Sequence, residues 1–217
     1  MNDNSITFRY STYTYKFSFL NTISNVRAFY PNEKIFVYLD DNRKDLDFYK
    51  IISEKYNVNL VLTEGHSTYI DRNDSFEINY PKCLERFSRI LHCAENSNTT
   101  WMITLEDDVQ FRRKIHTFPN TDFGTNRELV GFTGGGSIMK NSVVRKFLHK
   151  ITPDELYELH YKYRNSIYWA TDAMLKIVFI DKYKCTSEKW IELAEHEYYD
   201  DRDYAIFHGC KKLHKLG

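Results

Sequence analysis

Three consecutive carboxylates, Glu106-Asp107-Asp108, follow directly on the apolar, β-prone run Trp101-Met102-Ile103-Thr104-Leu105. That run reads as a strand buried on both faces, and Val109 and Phe111 resume the apolar pattern after the acids. Acidic side chains crowded at a strand end repel one another and resist desolvation unless a cation or bulk water compensates them. In an open α/β sheet the carboxyl ends of the strands are also where ligands bind. The pattern points to a hard divalent cation, Mn²⁺ or Mg²⁺, held by Asp108 with Glu106 or Asp107 and bridging to a phosphate-bearing ligand. A solvated acidic turn is the alternative.

Other groups with chemical potential sit at further strand ends and loops. Asp40 and Asp41 close the apolar run from Lys34 to Leu39 on the same edge of the sheet. A carboxylate there accepts the ring N–H of a pyrimidine or the hydroxyls of a ribose, or else caps the following turn. Thr133-Gly134-Gly135-Gly136-Ser137 holds more glycine than a hairpin turn needs, and permits close approach of backbone to a ligand. Thr171 is placed to cap a short helix with Asp172 in its first turn. Asp172 is then either a favourable charge at that helix end or a base aimed at an acceptor hydroxyl, with Trp169 as a platform for a sugar face. Ala205-Ile206-Phe207 delivers His208 and Gly209, with Lys211 and Lys212 just beyond. A histidine there can be a third metal ligand, and the lysines can offset diphosphate charge. A second acidic cluster, from Glu195 to Asp203, has no buried strand leading into it and reads as a solvated loop.

These groups need a scaffold. Ser5 to Arg9 reads as a strand, Phe17 to Ala28 as a helix, Lys34 to Leu39 as a strand, Leu46 to Tyr56 as a helix and Val58 to Leu62 as a strand. The order β-α-β-α-β is that of a parallel sheet with right-handed crossovers. No G-x-G-x-x-G opens the first helix, so a nucleotide must be held in another way than by a dinucleotide fingerprint. Residues 63–79 lack periodicity and are expected to form a mobile loop. Tyr80, Leu84, Phe87, Leu91 and Ala94 then trace the apolar face of a helix with Pro81 at its start, and Lys82, Arg86 and Arg89 lie opposite. Those cations are either a solvated face or a means of reaching a diphosphate or sugar. Further on, Glu128 to Phe132 reads as a strand, Asn141 as the cap of a helix, and Thr152-Pro153-Asp154-Glu155 as a capping box with Pro at the first helical position.

Composition bounds the partners. At 217 residues and 42% hydrophobic, the chain suits one α/β domain or two tightly fused subdomains. Its 30 basic and 30 acidic residues cancel without forming a Lys/Arg block, which argues against electrostatic nucleic-acid binding and gives no sign of membrane-surface attachment. The 17 Tyr and 15 Phe suit stacking on sugars or bases, although compositional bias is the commoner cause. Cys83, Cys93, Cys185 and Cys210 form no C-x-x-C pair and no zinc spacing, and are expected to be reduced thiols, mostly in the core, of a cytoplasmic protein. The polar, aromatic N-terminus is not expected to be a signal peptide, and no apolar run reaches the roughly 18 residues a membrane span needs.

In their order along the chain these motifs resemble those of the GT-A glycosyltransferases, the nucleotide-sugar-dependent class built on a Rossmann-like α/β domain. Leu39-Asp40-Asp41-Asn42 is similar to the family's base-binding strand end, and Leu105-Glu106-Asp107-Asp108-Val109 to its D-x-D metal motif with Glu in place of the first Asp. Gly134-Gly135-Gly136 resembles the segment lining the sugars, Asp172 the carboxylate on a short helix beside the reacting centre, and Phe207 to Lys212 the C-terminal His-Gly-Lys segment of glycogenin-like members.

The resemblance implies a single GT-A domain over residues 1–217, with a central, mostly parallel mixed sheet flanked by helices. Residues 1–111 would form its nucleotide-binding half and 112–217 its acceptor and donor-sugar half. It implies transfer from a UDP-sugar to a hydroxyl of a glycan or glycoprotein, with Mn²⁺ or Mg²⁺ held by Asp108, Glu106 and His208. The donor-binding set it implies is Arg9, Tyr10, Asp40, Asp41, Lys82, Arg86, Asp107, Gly135, Gly136 and Lys211. Asp172 acting as base would give inversion, and Asp172 merely positioning sugars leaves retention open. The chain also resembles small glycosyltransferase domains encoded by large algal viruses, and such a domain could be cut from a longer polypeptide. A catalytically silent sugar- or nucleotide-sugar-binding module is the alternative. A phosphohydrolase with an aspartyl nucleophile would place Asp where Glu106 stands, and a nucleotidyltransferase would need glycine between Tyr10 and Tyr15.

Overall fold

The computed structural model describes residues 4–11, 15–64, 74–125, 135–164, 171–195 and 203–209. The strands β1 (Ile6–Ser11), β2 (Ile35–Asp40) and β3 (Asn59–Thr63) alternate with helices α1 (Lys16–Phe29) and α2 (Leu46–Lys55), the expected β-α-β-α-β order. There follow α3 (Phe76–Glu95), β4 (Trp101–Leu105), β5 (Val109–Phe111), β6 (Phe123–Thr125) and β7 (Ile138–Lys140). Next come α4 (Asn141–Leu148), α5 (Pro153–Lys162), α6 (Thr171–Lys176), a π-helical segment Ile177–Lys182, β8 (Ser187–Lys189), β9 (Leu193–Glu195) and β10 (Ile206–His208).

Among the described residues the main sheet has the order β3-β2-β1-β4-β7-β6-β8. Its first four strands run parallel, β7 is antiparallel to β4 and β6, and β6 pairs in parallel with β8. The sheet is therefore mixed but mostly parallel, with helices on both faces. The direction of strand progression reverses between β1 and β4, which opens a crevice at their carboxyl ends.

Strand alternation sorts the core into two layers. Phe8, Tyr10, Ile35, Val37, Leu39, Ile103 and Leu105 pack against Phe19, Ile23 and Val26 of α1 and Tyr49 and Ile52 of α2. Phe36, Tyr38 and Met102 point the other way, onto Cys83, Phe87 and Ile90 of α3, Val144 of α4 and Phe179 of the π-helical segment. Full burial of one such side chain contributes roughly 1.5–3 kcal/mol, which is why central strands with no polar face form here at all.

Three expectations about elements need correction. The helix α3 begins at Phe76, so Pro81 lies inside it. Pro81 has no N–H to donate to the Glu77 carbonyl; ahead of it the Asn79 side-chain amide donates to the carbonyls of Asp74 and Ser75, and Phe76 stacks on Tyr80, holding the first turn. Second, the buried residues of α3 are Asn79, Cys83, Arg86, Phe87, Arg89, Ile90, Cys93 and Ala94, so Phe87 and Ala94 face inward as traced in the sequence, while Arg86 and Arg89, expected on the opposite side, are buried as well. Leu84 and Leu91 are only partly buried, and the hydroxyl of Tyr80 donates to the carbonyl of Pro153 at the start of α5. Third, a buried strand does lead towards the second acidic cluster: Leu193 and Ala194 of β9 are both 2% exposed. The strand expected over 128–132 lies outside the described residues.

Candidate functional site

The acidic triplet is held in a tight turn between β4 and β5. The N–H of Val109 donates to the carbonyl of Glu106 (3.2 Å). From α1, the buried Thr22 hydroxyl lies 3.4–3.5 Å from the carbonyls of Glu106, Asp107 and Val109. The Asn25 amide reads the backbone of β5 as a strand would: its Nδ2 donates to the Phe111 carbonyl (3.0 Å) and its Oδ1 accepts from the Phe111 N–H (2.6 Å). Asp107 accepts a hydrogen bond from the Tyr10 hydroxyl at the end of β1.

Pairing of β10 antiparallel to β5 puts His208 opposite Val109, and the Gly209 N–H donates to the Asp108 carbonyl (3.0 Å). The ring Nε2 of His208 consequently lies 3.4 Å from Asp108 Oδ1 and 3.6 Å from Glu106 Oε2. Gly135 makes room for that ring, since a Cβ there would stand 2.6 Å from His208 Cδ2 and 2.6 Å from Val109 Cγ2. The glycine segment is itself tied to β4, the Gly136 N–H donating to the Thr104 carbonyl (2.8 Å) and the Thr104 N–H to that of Ser137 (3.0 Å). Gly136 adopts a φ of +80°, a conformation that glycine takes without strain.

Glu106, Asp108 and His208 each offer a ligand atom within 4.8 Å of the others. Two carboxylates and an imidazole suit Mn²⁺ or Mg²⁺. Adjacent ligands of an octahedral ion with bonds of about 2.1–2.4 Å lie roughly 3.0–3.4 Å apart. His208 Nε2 already stands at or within a few tenths of an ångström of that spacing from both carboxylates. Burial pushes the Glu106 carboxyl up, but its bond to His208 and the charges of Arg86 and His208 outweigh this and the repulsion of Asp108, and its pKa falls below the usual carboxylate range.

The buried face of α3 brings two guanidiniums to the same edge. Arg86, 5% exposed, lies 3.5 Å from Glu106 Oε1, so the two carboxylate oxygens of Glu106 face Arg86 and His208 separately. Arg89, 3% exposed, donates to Asp40 Oδ1 (2.8 Å), to Glu85 (2.7 Å) and to the Thr63 hydroxyl. Arg9 is buried on the same side of the sheet, opposite Thr104 in register. Lys82 lies apart from these, paired with Asp74 (2.9 Å).

Asp41 is exposed just past β2, its N–H donating to the Thr63 carbonyl. Asp172 lies in the first turn of α6, as expected, but its side chain lies outside the described residues, as do Gly134, Trp169, Lys211 and Lys212. Sequence reasoning passed over Thr22, Asn25 and the Arg89 contacts. The available signal was polarity within an apolar stripe: Thr22 falls between Phe19 and Val26, and Arg86 between Cys83 and Ile90, at core-facing positions.

No protein-family model matches the chain, and no curated protein does. Among solved structures it is similar to the apo form of the glycosyltransferase GlyE of Streptococcus pneumoniae TIGR4, with a TM-score of 0.60 and 12% sequence identity. The match covers 94% of this chain and 54% of that one, so the chain spans about half the length of GlyE. The likeness is one of fold. It agrees with the mixed, mostly parallel sheet and its flanking helices as a GT-A-type α/β architecture.

Proposed function

We propose that the chain is a divalent-metal-dependent glycosyltransferase that moves a sugar from a UDP-sugar to a hydroxyl of a glycan or glycoprotein. The observation that carries this reading is the meeting of Glu106, Asp108 and His208 at the carboxyl edge of the sheet, beside the β1/β4 reversal. The likeness of fold to GlyE, a glycosyltransferase by name, supports it. A cation held by the three residues supplies charge neutralisation for a departing diphosphate. Asp40 and Asp41 take the base and ribose, while Tyr10 acts through Asp107, which its hydroxyl holds in place. Arg9 and Arg86 supply buried positive charge for the diphosphate, and Lys82, once it exchanges its partner Asp74 for the ligand, and Lys211 add to it. Gly135 and Gly136 admit the donor sugar, and Asp172 serves the acceptor hydroxyl as base.

In this reading residues 1–111 supply the nucleotide side and 112–217 the sugar side, and the resemblance to domains of large algal viruses is one of function too. Among the described residues Cys83, Cys93 and Cys185 are buried and form no disulfide, in keeping with a reducing compartment such as the cytoplasm. No helix among the described residues is long and apolar enough to cross a membrane.

Calorimetry tests the proposal. UDP is expected to bind the wild type only with Mn²⁺ present, and Asp108→Ala to weaken that binding by about 100-fold or more, beyond the 10–100-fold cost of losing an outer-shell partner. Binding of a glycan with no response to UDP or Mn²⁺ would falsify the transferase and favour a silent sugar-binding module. A screen of UDP-sugars for slow hydrolysis then identifies the sugar.

A further inference from the structure

Asp40 is not a freely rotating carboxylate. Its Oδ1 accepts from Arg89, whose guanidinium is fixed by Glu85 from one side and the Thr63 hydroxyl from another. Thr63 is in turn anchored, opposite Asp40 in register, through its bond to the Leu39 carbonyl (3.3 Å). The Asp40 side chain keeps 19% exposure, so Oδ2 is the oxygen left to a ligand at the sheet edge. One strand, β1, separates Asp40 from the acidic turn, a span of about 10 Å that a nucleoside bridges between its base and its diphosphate.

We infer that Arg89 is a positioning residue for nucleobase choice, acting through Asp40; the inference rests on the nucleotide-sugar reading above. A buried guanidinium has donors only. It therefore requires an acceptor on the near side of residue 40 and dictates which atom faces the ligand. With Asp40, the ligand meets an ionised acceptor, which pairs with the ring N–H of uracil and opposes the lone pair at the same position of cytosine. The clamp thus selects for a base carrying an imino proton.

The clamp has a consequence that a merely structural ion pair lacks. In Asp40→Asn, Arg89 must hold the amide oxygen, which turns the amide NH₂ towards the ligand and reverses the preference. In Asp40→Asn/Arg89→Met the amide is free to flip and accepts either base. Binding of UDP and CDP is measured by calorimetry with Mn²⁺ on wild type and both variants, with thermal melts to confirm folding. The expected result is UDP over CDP in the wild type by about tenfold or more, the scale of one hydrogen bond to a charged group. Asp40→Asn should favour CDP, and the double variant should bring the ratio close to one. A single variant in which CDP does not gain on UDP overturns the inference and leaves the transferase reading intact. A wild type that binds neither nucleotide overturns that reading, and the inference with it.

Discussion

Gly135 and His208 show how one missing methyl group shapes a site. The imidazole occupies the space a side chain at 135 would take, and it is this position that sets its nitrogen beside Asp108 and Glu106. Gly135→Ala should displace the ring and cost about 1–3 kcal/mol of stability, as overpacking does. Its larger effect is on the cation, with Mn²⁺ affinity, followed by titration calorimetry, expected to fall by roughly 10–100-fold. Equal Mn²⁺ affinity in the variant would separate His208 from the metal. The same logic of shared partners applies to Glu106, whose two oxygens answer to different cations, so neither Arg86 nor His208 can be changed without altering the other's partner.

The helices do more than cover the sheet. Through Thr22 and Asn25, α1 holds the backbone of the acidic turn and of β5, which has only three residues and little pairing of its own. Asn25→Ala leaves two backbone groups of Phe111 without that partner, at a cost of about 1–3 kcal/mol. Because β10 pairs on β5, His208 should loosen too, and Mn²⁺ binding should weaken alongside the melting temperature. Thr152→Ala provides the contrast. Thr152 and Glu155 form a complete capping box at the start of α5. Losing it should cost about 1 kcal/mol in denaturant unfolding and leave Mn²⁺ and UDP binding as in the wild type.

At the scale of the molecule, the short strands beyond β4 depend on side-chain ties between distant segments. Asp122 accepts from the N–H and hydroxyl of Thr186 (3.0 Å each) and lies 3.4 Å from Lys140 Nζ, linking the approaches to β6 and β8 with the end of β7. Burial pushes the Asp122 carboxyl up, but the Thr186 bonds and Lys140 more than offset it, so its pKa is lowered on folding. A depressed carboxyl stabilises the fold above its unfolded value of about 3.9, and that contribution is lost as the pH falls through the folded value. Asp122→Asn should therefore melt lower than wild type at pH 7, by the equivalent of about 1 kcal/mol. The gap should begin to narrow below about pH 4 and close once the pH has fallen through the lower folded value. A gap that persists there would assign the loss to packing instead.

The sequence alone determined the alternation of strands and helices from Ile6 to Leu105, because apolar periodicity is a local property read one element at a time. It also determined that Glu106 and Asp108 stand at a strand end, since an acid cannot continue a strand buried on both faces. Only the tertiary structure decided that His208, a hundred residues further on, joins them, because that depends on β10 choosing β5 as its partner and on Gly135 leaving room. The burial of Arg86 and Arg89 on α3 was equally non-local. Side-chain apolarity alone favours Tyr80, Leu84 and Leu91 as the inward face, whereas carboxylates on β2 and after β4 draw Arg86 and Arg89 into the interior. A buried charge takes its position from its partner, and that partner is far away in the chain.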